Sequence, residues 1–214
     1  KELGIVLQQI RNKRIHFSMA SIDGGAAANA IPAKAAAVIL IQSSDMPAIS
    51  RIVAHAAEEF RLKYGEKETG GKISLTPLHN VPDTMFSDTD TAAAVQLLCL
   101  LHFGVSSMNQ ILPRIPENSA NIGTIRLEKD VLTIQYFPRS SKDACLRELV
   151  SVLPAAAELT GFTLQCSSIT PAWTENPHSR LVPLMSRIFK EQNQGKEMRI
   201  ETIHGGLETG YFFS

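Results

Sequence analysis

Hydrophobic and polar positions divide roughly the first 80 residues into segments with two different periods. Apolar residues three or four positions apart predict helices over 3–10 and 49–60. Alternating or continuous apolar positions predict strands over 15–22, 34–42 and 72–78. The second of these strands is apolar on both faces, which is typical of a strand in the middle of its sheet. The first block is therefore predicted to run α-β-β-α-β.

The chain from about residue 87 to residue 168 repeats this order. We expect a strongly apolar helix, a two-stranded hairpin, a second helix and a last strand, over residues 88–103, 120–137, 141–161 and 162–168. Two similar α+β units side by side account for both blocks.

The remaining residues, 169–214, follow a different pattern. A polar connector leads to an amphipathic helix over 181–189 and a short strand over 198–203. The glycine-rich run His204–Gly210 follows that strand. Because a strand followed by a glycine-rich turn is typical of α/β domains, we expect a partial α/β segment here.

Composition narrows the class of protein. The 214 residues carry 21 basic and 21 acidic side chains, and this balance argues against a nucleic-acid or membrane-surface partner. The longest apolar run, 92–101, is far shorter than the ~20 residues that span a bilayer. The three cysteines are widely spaced inside apolar runs, which predicts buried thiols in a reducing, cytoplasmic compartment. The chain begins without Met, and we expect it to be a piece of a longer protein.

Complete catalytic motifs are missing from the sequence. It contains no Gly-x-Ser-x-Gly elbow, P-loop, paired Cys-x-x-Cys or His-Glu-x-x-His motif. The six histidines lie far apart in sequence, and each taken alone is predicted to be structural or exposed to solvent.

Two loops could nevertheless bind a ligand. In Gly24–Pro32, the glycines permit a sharp bend, and Asn29 either aims its amide at a ligand or satisfies backbone groups of its own loop. Arg139 follows a predicted strand and precedes a helix start, where a guanidinium suits a carboxylate. The alternative for Arg139 is a surface arginine beside a helix cap.

The run His204–Gly210 is the third candidate. Its glycines let a ligand approach the backbone closely, and His204 and Glu208 can bind or orient that ligand. The alternative is a tight turn between a strand and a helix.

Taken in order, these stretches resemble one family. The matching motifs are Ser21–Gly25 with Asn29–Pro32, Phe103–Val105 with Met108, Ser119–Ile125, Arg139–Ser141, Pro171–Trp173 and Ile203–Gly210. They are similar to motifs in the later half of aminoacyl-histidine dipeptidases (Xaa-His dipeptidases, PepD type), di-zinc metallopeptidases of the M20 family. The Gly-Gly…Asn-x-x-Pro loop is shared by many M20 enzymes, whereas the His-x-Gly-Leu-Glu-x-Gly run is more specific. Gly205 and Thr209 stand where relatives often have Ala and Cys.

The resemblance implies a domain organisation. In this family, a lid or dimerisation domain of β-α-β-β-α-β units is inserted into the catalytic domain. Residues 1–168 would then be the lid, with units of about 1–80 and 87–168, each an antiparallel sheet with helices on one face. Residues 169–214 would be the returning part of the α/β catalytic domain. A cytoplasmic homodimer is expected, with no nucleic-acid or membrane partner.

The resemblance also implies which steps of the family's reaction this chain contributes to. The family hydrolyses a dipeptide with a water held between two zinc ions, whose charge lowers the pKa of that water. No metal ligand and no catalytic residue of the family maps onto this chain, so we expect no bound zinc and no activity from it alone. Substrate binding does map: Asn29 lies near the substrate, Arg139 takes the C-terminal carboxylate, and the backbone of Gly206 meets the substrate. His204 and Glu208 are further substrate-binding candidates.

Two other functions stay open from the sequence. The chain could be a stand-alone binding or dimerisation module that associates through sheet edges or helices. It could also belong to another M20 amidohydrolase, such as a carnosinase-like enzyme.

Overall fold

A computed structural model describes residues 1–78, 80–112, 114–167, 169, 172, 176, 178–201 and 204. The helices among them are α1 (Glu2–Asn12), α2 (Met46–Tyr64), α3 (Asp88–Leu100), α4 (Asp143–Ser151), α5 (Leu153–Thr160) and α6 (Leu181–Gln192). The strands are β1 (Phe17–Gly24), β2 (Ala35–Ile41), β3 (Gly104–Met108), β4 (Pro116–Glu128) and β5 (Val131–Ser140). No described helix is long and apolar enough to cross a membrane.

The described strands form a five-stranded antiparallel sheet in the order β2-β1-β4-β3, with β5 also paired to β4. The predicted α+β class is therefore confirmed. The hairpin between β4 and β5 turns through Lys129 and Asp130, whose φ angles are 47° and 67°. Positive φ at both central residues is the mark of a type I′ turn, whose twist matches that of the flanking strands.

The chain divides into two compact units. The first contains Lys1–Phe103, Asn121–Phe137 and Val152–Leu164, and the second contains Gly104–Ala120, Pro138–Ser151 and the described residues from 165 onwards. The boundary that the resemblance placed at about residue 168 stays a prediction.

Three helices and β1 supply most of the core of the first unit. The most deeply buried side chains include Met19, Ile49 and Val95, each with 0% exposure. Helix α1 lies directly against α3, since a Cβ added to Gly4 would be 2.7 Å from the Cβ of Leu98. Glycine at this position lets the two helices approach closely.

Helix α3 and the loop before it also complete the hydrogen bonding of β1. The register between β1 and β2 shifts between Met19 and Ser21. At this irregularity, the Met19 amide donates to Thr91 Oγ1 over 3.2 Å, and the Met19 carbonyl accepts from the Phe86 amide over 2.7 Å. Because buried backbone groups need partners, these contacts replace a neighbouring strand here.

Strand β2 is an edge strand in the described sheet, which corrects its predicted central position. Its one partner among the described strands is β1. Ala37, Ile39 and Ile41 pack against the core, whereas Ala36 on the alternate face is exposed. One face of the strand covers the core, and the other face is partly covered although it also carries apolar residues. Apolar residues on both faces therefore did not mean that a strand lies on each side of β2.

Three further segments that the sequence predicted as strands contain no strand in their described parts. The described parts of these segments, 72–78, 162–167 and 198–201, are irregular, while positions 168, 202 and 203 lie outside the described residues. In the first segment Ile73 and Leu75 pack against the core, so the alternation reflects burial without strand pairing. The predicted helix over 141–161 is two helices, α4 and α5.

Candidate functional site

Asn29 lies in the loop that joins β1 to β2 in the first unit. Its side chain is exposed, and the loop bends at Gly25, where φ is +74°. The Ala30 amide donates to the Ala27 carbonyl over 3.2 Å, which makes a tight turn around Asn29. The turn therefore presents the Asn29 amide to solvent, as a ligand-binding role requires.

Arg126 on β4 fixes the beginning of this loop. Its Nη1 donates to Asp23 Oδ2 over 2.8 Å and to the Gly24 carbonyl over 2.7 Å. Its Nη2 donates to the Gly25 carbonyl over 2.5 Å. One guanidinium thus binds three consecutive residues, which uses the planar fork of donors that only arginine carries.

Arg139 and His204 come together in the second unit. Arg139 stands near the end of β5, and its Nη1 donates to the His204 carbonyl over 3.3 Å. A guanidinium has five N–H donors, so a contact to one carbonyl is compatible with binding a carboxylate as well. The structure therefore brings together two of the residues predicted to bind substrate.

The imidazole of His204 lies beside β4. Its Nε2 is 2.7 Å from Ser119 Oγ. Burial lowers the pKa of His204, and the nearby charge of Arg139 lowers it further, against a smaller opposing effect of Glu117. A neutral imidazole held in this way anchors the His204 backbone, whose carbonyl then faces Arg139.

Glu117 is a buried acid that the sequence analysis did not identify. It is 5% exposed, and its carboxylate accepts hydrogen bonds from Ser141 Oγ and, over 3.2 Å, from Asn109 Nδ2. Lys142 Nζ lies 2.8 Å from its Oε2. Burial raises the pKa of Glu117, but the bonds from Lys142 and Ser141 outweigh burial and lower the pKa overall. The carboxylate is therefore charged at neutral pH, and it ties the residues that follow Arg139 to β4.

The polar residues of β4 could have been recognised from the sequence. The first half of β4 carries Glu117, Asn118, Ser119 and Asn121. Asparagine and acidic residues are depleted in strands, so several of them within one strand indicate specific partners.

The other predicted site residues and the metal cannot be placed. Gly206 and Glu208 lie outside the described residues. Within the described part of the chain, no three His, Cys, Asp or Glu side chains come close enough to hold a metal ion. The described residues therefore do not fit the two zinc ions that the resemblance implies.

No family model matches the sequence. The sequence is 24% identical over 201 residues to the cytosol non-specific dipeptidase of Escherichia coli (strain K12), covering 94% of this chain and 41% of that protein. The structure matches the crystal structure of aminoacylhistidine dipeptidase from Vibrio alginolyticus with a TM-score of 0.86 and 23% identity. That match covers 99% of this chain and 43% of the other.

The chain thus spans about two-fifths of the length of each of these proteins. The structural match shows a shared fold, and the sequence match extends over nearly the same residues. The resemblance to aminoacyl-histidine dipeptidases that the motifs indicated is confirmed: this chain has the fold of the corresponding part of such a protein.

Proposed function

We propose that this chain is part of a zinc-dependent dipeptidase of the M20 type and that it supplies surfaces that position the dipeptide. The observation that carries the proposal is Arg139, a guanidinium held by the His204 carbonyl in a chain whose fold matches an aminoacylhistidine dipeptidase. The zinc ions and the general base belong to residues outside the described part of the chain. A cytoplasmic location is part of the same proposal.

In this proposal the described residues bind and orient, and they do not make or break bonds. Arg139 takes the C-terminal carboxylate of a dipeptide such as alanyl-histidine, because guanidinium and carboxylate pair through two parallel hydrogen bonds. Asn29 is a separate candidate that donates to or accepts from the peptide group of a dipeptide. Each such contact orients the dipeptide before it reacts, which reduces the entropy that must be lost when the reacting atoms meet.

Arg139→Gln should abolish discrimination between alanyl-histidine and its C-terminal amide. Hydrogen bonds to charged groups contribute about 1.5–3 kcal/mol, so the native chain should bind the free acid about 10- to 100-fold more tightly than the amide. Titrations followed by ¹⁵N NMR measure both affinities. Arg139→Lys should fall between the two, because lysine keeps the charge and loses the bidentate geometry.

The matched control for this experiment is Arg51→Gln, an exposed arginine of α2 in the first unit. It should leave both affinities unchanged. Equal affinity of the native chain for acid and amide would contradict the proposed role of Arg139.

A dimerisation role is favoured by a separate observation, the edge position of β2 among the described strands. An apolar edge strand offers its unpaired backbone groups to another strand, and a second copy of the chain can supply that strand through a two-fold contact. If the chain were only a dimerisation module, it would self-associate without distinguishing alanyl-histidine from its amide.

Val38→Lys should weaken self-association at least 10-fold, because a charged side chain on an edge strand opposes pairing. Light scattering over a range of protein concentrations measures the change. The control is Leu100→Lys, which places the same charge at an exposed position of α3. A native chain that stays monomeric at all concentrations would rule out the dimer.

A further inference from the structure

Asn121 holds the main chain on both sides of Asn29. Its Nδ2 donates to the Ala28 carbonyl over 3.1 Å and to the Ala30 carbonyl over 2.5 Å. An asparagine amide has two N–H donors, and both are used here on the two residues that flank Asn29. The contact joins positions 93 and 91 residues apart, so it is a tertiary contact of β4 with the loop.

The loop reaches Asn121 because two glycines let the backbones meet. A Cβ added to Gly123 would lie 2.2 Å from the Ala28 oxygen, and one added to Gly25 would lie 1.8 Å from the Gly123 oxygen. Asn121 and Gly123 are two positions apart on β4 and therefore face the same side of the strand. The loop thus lies directly on this part of β4, with Asn121 beside it.

The orientation of the Asn121 amide follows from these partners. Turning the amide over would place Oδ1 against two carbonyl oxygens, which also accept hydrogen bonds and would repel it. In the orientation observed, Oδ1 is buried and has no hydrogen-bond partner among the described residues. A buried acceptor without a partner costs about 1–3 kcal/mol. The two hydrogen bonds that Asn121 donates offset this cost, which an apolar residue at position 121 would not incur.

We infer that Asn121 is a positioning residue that acts through Asn29. The Ala28 carbonyl fixes the peptide plane that precedes Asn29, and the Ala30 carbonyl fixes the plane one residue beyond it. The Asn29–Ala30 plane between them is held by the Ala30 amide, which donates to the Ala27 carbonyl over 3.2 Å. Together these bonds fix the direction of the Asn29 Cα–Cβ bond. The exposed Asn29 amide therefore already has, in the free protein, the orientation that binds a dipeptide. Such preorganisation raises affinity because less motion is lost on binding. The inference rests on the role of Asn29 in the proposed function.

The test compares Asn121→Leu, Asn29→Ala and the double variant. We expect Asn121→Leu and Asn29→Ala each to weaken alanyl-histidine binding about 5- to 10-fold, as expected for one or two hydrogen bonds. The double variant should be no weaker than Asn29→Ala alone, because Asn121 acts through the side chain already removed. If Asn121 contributed only to stability, Asn121→Leu would bind alanyl-histidine with native affinity and only Asn29→Ala would bind it more weakly.

A second readout follows the loop directly. Amide hydrogen exchange of residues 26–31 should accelerate in Asn121→Leu, while exchange in α1 and α3 stays unchanged. The control is Asn193→Leu, because Asn193 also donates its side-chain amide to a backbone carbonyl, that of Phe189, over 2.8 Å. It should alter neither the affinity nor the exchange of the loop. If Asn121→Leu does not fold, Asn121→Ser keeps one donor and should show a smaller change in both readouts.

The outcomes separate the inference from the proposed function. Weaker binding in Asn29→Ala with native affinity in Asn121→Leu overturns the inference and leaves the proposed function standing. Native affinity in both variants overturns the role of Asn29 and the inference together. Unchanged loop exchange in Asn121→Leu overturns the inference whatever the affinities.

Discussion

Leu98→Ala should lower the free energy of unfolding by about 3 kcal/mol. Leu98 is 1% exposed on α3 and packs directly against Gly4 of α1. Removing three carbons from a packed site loses their transfer free energy and leaves a cavity that the two helices cannot fill, which typically costs 2–5 kcal/mol for leucine. Urea unfolding followed by circular dichroism measures the change.

The matched control is Leu100→Ala on the same helix, where the side chain is 55% exposed. It should change the free energy of unfolding by less than about 0.5 kcal/mol. Equal effects of the two substitutions would show that the contact of α1 with α3 does not contribute as described.

Gly123→Ala should destabilise the first unit by about 2–3 kcal/mol and displace the Asn29 loop. The added Cβ would lie 2.2 Å from the oxygen and 2.4 Å from the Cα of Ala28, closer than real Cβ contacts come. Both atoms belong to the backbone, so no side-chain rotation relieves the overlap. Denaturant unfolding gives the loss of stability, and NMR shifts of residues 26–31 report the displacement.

Gly70→Ala controls for the removal of a glycine as such. A Cβ at Gly70 meets nothing within 4 Å, and Gly70 does not adopt a positive φ. Its substitution should be neutral within about 0.5 kcal/mol. A Gly123→Ala variant as stable as Gly70→Ala would mean that the loop does not lie on β4.

Hydrophobic periodicity correctly predicted the helices and strands whose own sequence carries a helical or alternating apolar pattern. Strands β1 and β2, the hairpin of β4 and β5, and the first three helices were all expected, with ends that differ by a few residues. β3 was missed, because it is five residues long and carries Ser106 and Ser107 in its middle. The segment 72–78 was overpredicted, because alternating burial of Ile73 and Leu75 resembles the pattern of a paired strand.

Residues of the candidate site could be predicted only where neighbouring residues in the sequence mark them. Asn29 and Arg139 stand beside glycines, a proline or a helix start that mark them in the sequence. Arg139 contacts His204, and the binding roles of both residues stay predictions. Glu117 and Asn121 were missed because their partners are distant: Ser141 is 24 residues from Glu117, and Ala28 is 93 residues from Asn121. Sequence motifs marked the region of Asn121, but only the tertiary contacts gave it a role.

The turn between β4 and β5 is not built from the residues that suit its backbone best. Lys129 and Asp130 both adopt the left-handed conformation that glycine and asparagine tolerate best. Keeping a lysine there means that the hairpin holds together without the residues that would make it most stable. Natural proteins commonly stop improving once stability exceeds the threshold that their function requires. This turn is therefore a place where an engineer could add stability without touching Asn29, Arg139 or the residues that hold them.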